Sequence, residues 1–283
     1  MISNFPTKHP YMTEPTIFLP PPELREVIAS YGILEIPGGR SEPYFSPPLA
    51  MSGFIINTTN STGQIVSKLR EDYFFSTNEV ATGQVTYPVY GELIGHIKSI
   101  MVFFQPLGMY QLFGNDMAAL TNTSQSLYEF LEANRAEALI SSLKQSDRNE
   151  DQIQILNSFF KDQITRKFPV RKMKDVVEYI HINKGDISVA DIENECHYQR
   201  KTLERHFTKM LGLSPKVYCQ IYRFKCLINQ LQQNPGITWT ELADQAGYYD
   251  QAHMSRYIKK YLKVSPNSMV LLDMNFIYYL LSR

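Results

Sequence analysis

Histidine is scarce in the first half of this sequence and cysteine is scarce throughout, and each shortage excludes a chemistry. Before residue 170 the only histidines are His9 and His96, far apart and without an HxH pair. A metal enzyme built on strands would need a cluster of His and Glu side chains there, so neither a metal site nor metal catalysis is expected. The three cysteines, Cys196, Cys219 and Cys226, form no CxxC pair and read as reduced, partly buried thiols of a cytosolic protein. No Gly-rich phosphate loop, Ser/His/Asp set or reactive cysteine context stands out, so no cofactor and no enzymatic role are expected. Long apolar runs are missing too: SIMVFF (99–104) is short, and MVLLDMNFIYYLL (269–281) is broken by Asp273 and Asn275. No membrane span is expected from them. The opening MISNFPTKHPYMTEP has no basic stretch leading into an apolar one, so no secretory signal is expected and the location is taken as cytoplasmic.

What is present is enough apolar material for two ordinary domains: 283 residues, 43% of them hydrophobic and 20% charged. Net charge is zero, with 28 Lys and Arg against 28 Asp and Glu, which taken whole argues against a polyanion partner. The charges are not evenly spread. Residues 171–283 hold 16 basic and 11 acidic side chains, a balance of +5, and residues 1–170 carry the compensating −5. That asymmetry points a polyanion toward the C-terminal side.

Residues 1 to about 118 read as β-rich, with short runs such as GFIIN (53–57), QVTYPVY (84–90) and IKSIMVFF (97–104) between proline and glycine turns. Helical periodicity takes over from Ser124. SLYEFLEANRAEALISSLKQ (126–145) and DQIQILNSFFKDQI (151–164) each place apolar residues along one side. From Val170 the chain is almost wholly helical. Gly185, Gly212 and Asn234-Pro235-Gly236 are stops, while Ser188, Ser214, Thr238 or Thr240, and Asp250 open helices.

Within that region one unit occurs twice. YQRKTLERHFTKMLGLSP (198–215) superposes on GYYDQAHMSRYIKKYLKVSP (247–266), each preceded by a short helix, at an offset of 50 before the turn and 51 after it. Leu203, Phe207 and Met210, and in the second copy Met254, Ile258 and Tyr261, should pack inward at i, i+4, i+7. Arg200, Lys201, Glu204, Arg205 and Thr208 then face outward, as do Gln251, Ala252, Ser255, Arg256 and Lys259. A helix-turn-helix needs this division, because its second helix must offer Arg, Lys, Gln or Ser to base edges in the major groove. A solvated amphipathic helix would look the same in one copy; the repeat favours DNA. The spacer helix from Pro215 to about Gln233 spans about 28 Å at 1.5 Å per residue, close to the roughly 34 Å turn of B-DNA.

The region from about 170 to 268 resembles the DNA-binding domain of the AraC/XylS family of transcriptional regulators. The elements that carry the resemblance are TLERHF, GLSPKVY and Arg223, spread over 202–223, and ITWTELADQAGYYDQAHMSRYIKKYLKVSP (237–266). Ala252 stands where the family has Ser, Met254 and Ile258 where it has Phe, Lys263 where it has Gly, and Leu227 where Ala is common. Lys263 should strain the exit of its helix. The resemblance implies base contacts at Lys201, Glu204 and Arg205 in the first copy and at Gln251, Ser255 and Arg256 in the second. Thr202, His206, Lys259 and Lys260 are phosphate contacts or plain surface. Glu204 is the odd member, able to accept from a cytosine amino group but repelled by phosphates. Arg205 and Arg256 have a competing role as partners of a nearby acid, and Trp239 reads as packing.

The resemblance further implies an N-terminal domain that senses a ligand or partner. Residues 40–120, and IKSIMVFFQPLGMYQLFG (97–114) most of all, look like the cupin-like sensor domain of some of these regulators. Tyr87, Tyr90, Phe103, Phe104, Tyr110 and Phe113 would line an apolar pocket or form core, and strand spacing favours core. The expected architecture is α+β: a β-rich cupin-like domain over 1–120, a helical linker with possible dimerisation over 121–168, and an all-α DNA-binding domain of seven helices with two helix-turn-helix motifs over 169–283. Expected partners are double-stranded DNA, a second copy in a homodimer, a small-molecule effector, and RNA polymerase if the protein is an activator. One rival reading is a barrel-based small-molecule carrier or enzyme with an accessory helical domain; a second is a degenerate family member working by protein interaction alone.

Overall fold

The computed structural model describes residues 15–37, 41–59, 63–70, 73–76, 78–234, 236–271 and 277. His9, Pro235 and much of the 269–281 run therefore lie outside the described residues.

Ten strands form two antiparallel sheets among the described residues. They are β1 (Thr16–Phe18), β2 (Ile28–Ile36), β3 (Ser41–Ser46), β4 (Gly53–Asn57), β5 (Gln64–Arg70), β6 (Tyr73–Ser76), β7 (Glu79–Thr82), β8 (Val89–Ile94), β9 (Ile97–Phe104) and β10 (Ser124–Ser126). One sheet runs β1-β2-β9-β4-β7-β10 and the other β3-β8-β5-β6. The runs IKSIMVFF and GFIIN become adjacent central strands, with Phe54 opposite Val102 and Ile56 opposite Ile100. Their nearly unbroken apolar sequence follows from burial on both faces. Helices cover the outer face: α1 (Gly108–Phe113), α2 (Leu127–Phe130), α3 (Ala133–Lys144) and α4 (Asn149–Ile164). Phe54 sits at the centre of an aromatic cluster, with ring centroids 5.0 Å from Phe104, 5.6 Å from Phe113 and Phe130, and 6.2 Å from Phe160. The Tyr31 hydroxyl donates to Asn157 Oδ1 at 2.9 Å, fastening α4 to β2. The core side chains of α3 and α4, Leu139, Ile140, Leu143, Ile153, Leu156 and Phe160, are thus spent on the chain's own interior.

Two expected elements differ. QVTYPVY is not a strand until Val89: the Thr86 amide and hydroxyl both donate to Asn122 Oδ1, turning the chain, and Tyr87 is exposed. The helix expected over 126–145 is broken at Glu132, whose φ is 70°. The break lets Ser124–Ser126 pair with β7 while Phe130 and Leu131 both enter the core.

Among the described residues the C-terminal half contains α5 (Arg171–Ile182), α6 (Val189–Glu195), α7 (Arg200–Leu211), α8 (Pro215–Gln233), α9 (Trp239–Gln245), α10 (Gln251–Leu262) and a 3-10 segment, Pro266–Leu271; a seventh helix beyond it would lie mostly outside the described residues. Val170, Met173, Val176, Val177 and Ile180 are buried along α5 and its start. No described helix is long and apolar enough to cross a membrane.

The two halves touch. The amide of Phe168 donates to the Gln111 carbonyl at 2.8 Å and its ring lies 6.2 Å from Tyr110. Glu26 receives Lys167 at 2.8 Å and Lys174 at 3.5 Å; the Lys167 hydrogen bond leads in holding its carboxyl below the usual range, partly opposed by burial. Gly212, at the end of α7, lies against the 3-10 turn Met117–Leu120, where a Cβ would come 2.7 Å from both the Met117 carbonyl and the Thr121 hydroxyl.

Candidate nucleic-acid interface

Each copy of the repeat begins with the same cap. Ser188 accepts the Asp191 amide while Asp191 accepts the Ser188 amide, at 3.2 and 2.9 Å. Thr238 and Glu241 repeat the exchange at 3.3 and 3.0 Å. These reciprocal bonds satisfy the first free amides of α6 and α9 and fix where each scaffold helix starts. The Thr238 hydroxyl and amide lower the Glu241 pKa, as the Ser188 groups lower that of Asp191.

The second helix of each unit has one buried and one exposed face. Leu203, Phe207 and Leu211 are buried in α7; Met210, expected inward, is only half-buried because Leu211 takes the core position. Met254, Ile258 and Tyr261 are buried in α10, as expected. Gly212 and Lys263 both end their helices in the left-handed region, at φ 81° and 61°.

On the outer face Arg200, Lys201, Glu204 and Arg205 are exposed in α7, and Gln251, Ala252, Arg256 and Lys259 in α10; Thr208 and Ser255 are half-buried. Arg200 spends its charge locally, 3.2 Å from Glu204 and 3.8 Å from Glu193. Glu204 is therefore half of an i, i+4 pair. Arg205 and Arg256, expected as base contacts with acid pairing as the competing role, have no acid within ion-pair distance among the described residues. Arg205 Nη2 lies 3.4 Å from His206 Nε2. Ser255 donates its hydroxyl to the Gln251 carbonyl at 2.7 Å. Lys260 folds back, 3.3 Å from Gln220 Oε1 and 4.7 Å over the Tyr261 ring; burial, then the charge of Lys263, lowers its pKa. Trp239 packs, half-buried, with Nε1 donating to Asn267 Oδ1 at 3.1 Å.

Tyr249 was missed from sequence, and Arg223 was noted only as part of the resemblance. Tyr249, one position before the cap Asp250, is 92% exposed, while Tyr248 beside it is buried. Two tyrosines in a tight turn could have flagged that one must point outward. Arg223, a cation among buried Ile221, Phe224 and Leu227 of α8, is nearly buried itself.

Beside the C-terminal half, a groove of about 380 Å³ runs between the sheet domain and α5, lined by Arg25, Gln105, Leu107, Lys174, Val177 and His181 among others. The His181 ring stacks 4.0 Å from Tyr222, with Nε2 3.0 Å from the Tyr218 hydroxyl. Burial, and secondarily the charge of Lys225, pushes the His181 pKa down to about 4.

Two short helix pairs, each offering a polar helix from a capped scaffold and joined by a 19-residue spacer, make this half a double helix-turn-helix module. Residues 192–270 match the family described as a helix-turn-helix domain, and the C-terminal domain is of the AraC type. Residues 16–126 match a family described as a domain of unknown function (DUF6597), which spans both sheets. No curated protein matches the sequence significantly. Among solved structures the chain is similar to ToxT from Vibrio cholerae O395, at 11% identity and TM-score 0.45, covering 85% of this chain and 96% of that one. It is similar also to unsaturated fatty acid-bound wild-type ToxT from Vibrio cholerae strain SCE256, at 12% and 0.46, covering 86% and 95%. The AraC-like transcriptional activator CuxR aligns at 16% and 0.33, covering 73% and 78%.

Proposed function

We propose that the protein is a sequence-specific DNA-binding transcription regulator that lays α7 and α10 in successive major grooves of one duplex. The observation that supports this most is the pair of arginines, Arg205 and Arg256, at equivalent places in the two units, both exposed and both free of acid partners among the described residues. Lys201, Gln251 and Ser255 complete the base-reading set, Lys259 is a phosphate contact, and Arg200 with Glu204 forms a paired edge. No catalysis is involved in this reading.

The division of labour follows the chain. The β-rich domain (1–120), taken as cupin-like and regulatory, modulates the DNA-binding domain (169–283) through its contacts with Gly212 and α5. A small-molecule effector entering the groove beside Lys174 would act on those contacts. A homodimer through the linker (121–168) would have to use the polar outer face carrying Glu137, Ser142, Gln154 and Ser158, since the core side chains of both helices are buried. As an activator the protein would meet RNA polymerase in the cytoplasm.

Selection of bound duplexes from a random pool tests the central reading. The expected result is a motif with two half-sites about one helical turn apart, bound with an affinity that falls steeply with salt. Recovery of no motif, with a flat salt response, would remove it.

A further inference from the structure

The two helix-turn-helix units are joined by α8, yet a helix linked at each end by a short loop does not by itself set the rotation of one unit against the other. Apolar packing is non-directional. A directional tie lies at the middle of α8. Arg223 Nη1 is 2.9 Å from Asp186 Oδ1, in the loop before α6. Its Nε donates to the Ala246 carbonyl, in the turn before α10, at 3.2 Å, and its guanidinium carbon lies 4.3 Å over the Tyr248 ring. One side chain, only 12% exposed, therefore grips both units.

The backbone is shaped to allow it. Gly185 and Gly247 both adopt left-handed φ, at 75° and 71°. A Cβ at Gly185 would come 2.4 Å from the Cys219 carbonyl oxygen and 3.0 Å from the Arg223 amide nitrogen. At Gly247 it would come 2.4 Å from Asp186 Oδ2 and 3.2 Å from Arg223 Nη2. The first unit's loop and the second unit's turn thus meet on Arg223, and Asp186 rests against the backbone of Gly247.

We propose that Arg223 is the positioning residue that sets the angle and spacing of the two reading helices, by clamping Asp186 to the Ala246–Tyr248 turn across α8. The inference rests on the DNA-reading function proposed above. The Asp186 side chain is 51% exposed, so the ion pair adds little to stability. What a planar guanidinium supplies instead is fixed direction, with several donors in one plane. Two weak readers held at the right separation act as one strong reader, and a loose pair loses that effective concentration.

The test uses the full chain and the duplex that the wild type selects, that duplex with one half-site scrambled, and that duplex with one base pair inserted between half-sites. Arg223→Met is expected to bind the selected duplex at least about tenfold more weakly. It should bind the single half-site within about twofold of wild type and largely lose the wild-type penalty for the insertion. Arg223→Lys keeps the charge but not the fork, and should leave the insertion penalty low. Equal losses on full and single sites, or full rescue by lysine, would overturn the role. A DNA-free measurement separates this from failure of the DNA reading: spin labels on unnatural residues at positions 209 and 252 should give a narrow distance distribution in the wild type and a broad one in Arg223→Met. Equal widths would overturn the clamp. A difference in widths alongside failure to select any duplex would instead retain the clamp and remove the DNA reading.

Discussion

The Thr121 hydroxyl, at the end of the Met117–Leu120 turn, donates a hydrogen bond to the carbonyl of Gly212, the residue that ends α7. Gly212 is buried, so this acceptor depends on Thr121 rather than on bulk water. Thr121→Val keeps the shape and removes the donor, which should cost about 1–2 kcal/mol. The loss should be shared across the contact. Hydrogen exchange is expected to show lower protection both around Ala118–Thr123 and around Thr208–Leu213. Loss on one side only would show that the bond does not couple the two domains.

The exposed faces of α7 and α10 make separable predictions. Arg256→Ala should cost about 1–3 kcal/mol of specific binding and relax the preference at one base pair. Glu204→Gln should act in the opposite direction. It removes a carboxylate from the exposed side of α7 and releases Arg200 from its 3.2 Å partner. Affinity for the selected duplex should rise about threefold, and the salt dependence should steepen by about one phosphate contact. Anisotropy titrations at several salt concentrations measure both. A fall in affinity, with lost discrimination at a single C·G pair, would assign Glu204 to a cytosine amino group instead.

His181 should make folding sensitive to acid. Its pKa is about 4 in the folded chain against an ordinary value of 6.5, because the buried ring is disfavoured as a cation. The neutral ring is compatible with the fold, so its contribution is intact above about pH 6.5 and is lost as pH falls toward 4. Between pH 7 and pH 5 the wild type should lose about 2 kcal/mol more than His181→Phe. Urea unfolding of both proteins at the two pH values gives that difference directly, since any fixed cost to Tyr218 cancels. Equal losses would show that the ring does not stay neutral.

The helical half was legible because its signals are local. Ser188, Ser214, Thr238 and Asp250 cap the helices they precede, and the inward stripe through Leu203 and Phe207 follows from a 3.6-residue period. The sheet half was legible in IKSIMVFF and GFIIN but not in QVTYPVY, where Asn122, distant in sequence, turns the chain. Glu132 broke a well-patterned helix because tertiary burial of Phe130 and Leu131 outweighed local propensity. The Arg200–Glu204 pair could have been read from its i, i+4 spacing. Arg223 was legible as part of the resemblance but its contacts were not, because its partners Asp186 and Ala246 come from loops on opposite sides of it in the chain.

Lys263 carries the last prediction. It sits at the end of α10 with φ 61°, the position that Gly212 fills after α7 at φ 81°. A side chain in the left-handed region costs roughly 1 kcal/mol relative to glycine, which pays no Cβ penalty there. Lys263 is exposed, so its removal breaks no core contact. It also adds to the field that lowers the Lys260 pKa, so its loss relieves one repulsion. Lys263→Gly should therefore stabilise the chain by about 0.5–1 kcal/mol, the extra unfolded-state freedom of glycine taking back part of the gain. Chemical denaturation should show a higher midpoint with an unchanged slope. DNA affinity at low salt should fall slightly if Lys263 adds to the positive field around α10. A lower midpoint would mean that the lysine stem, rather than backbone geometry, secures the end of α10.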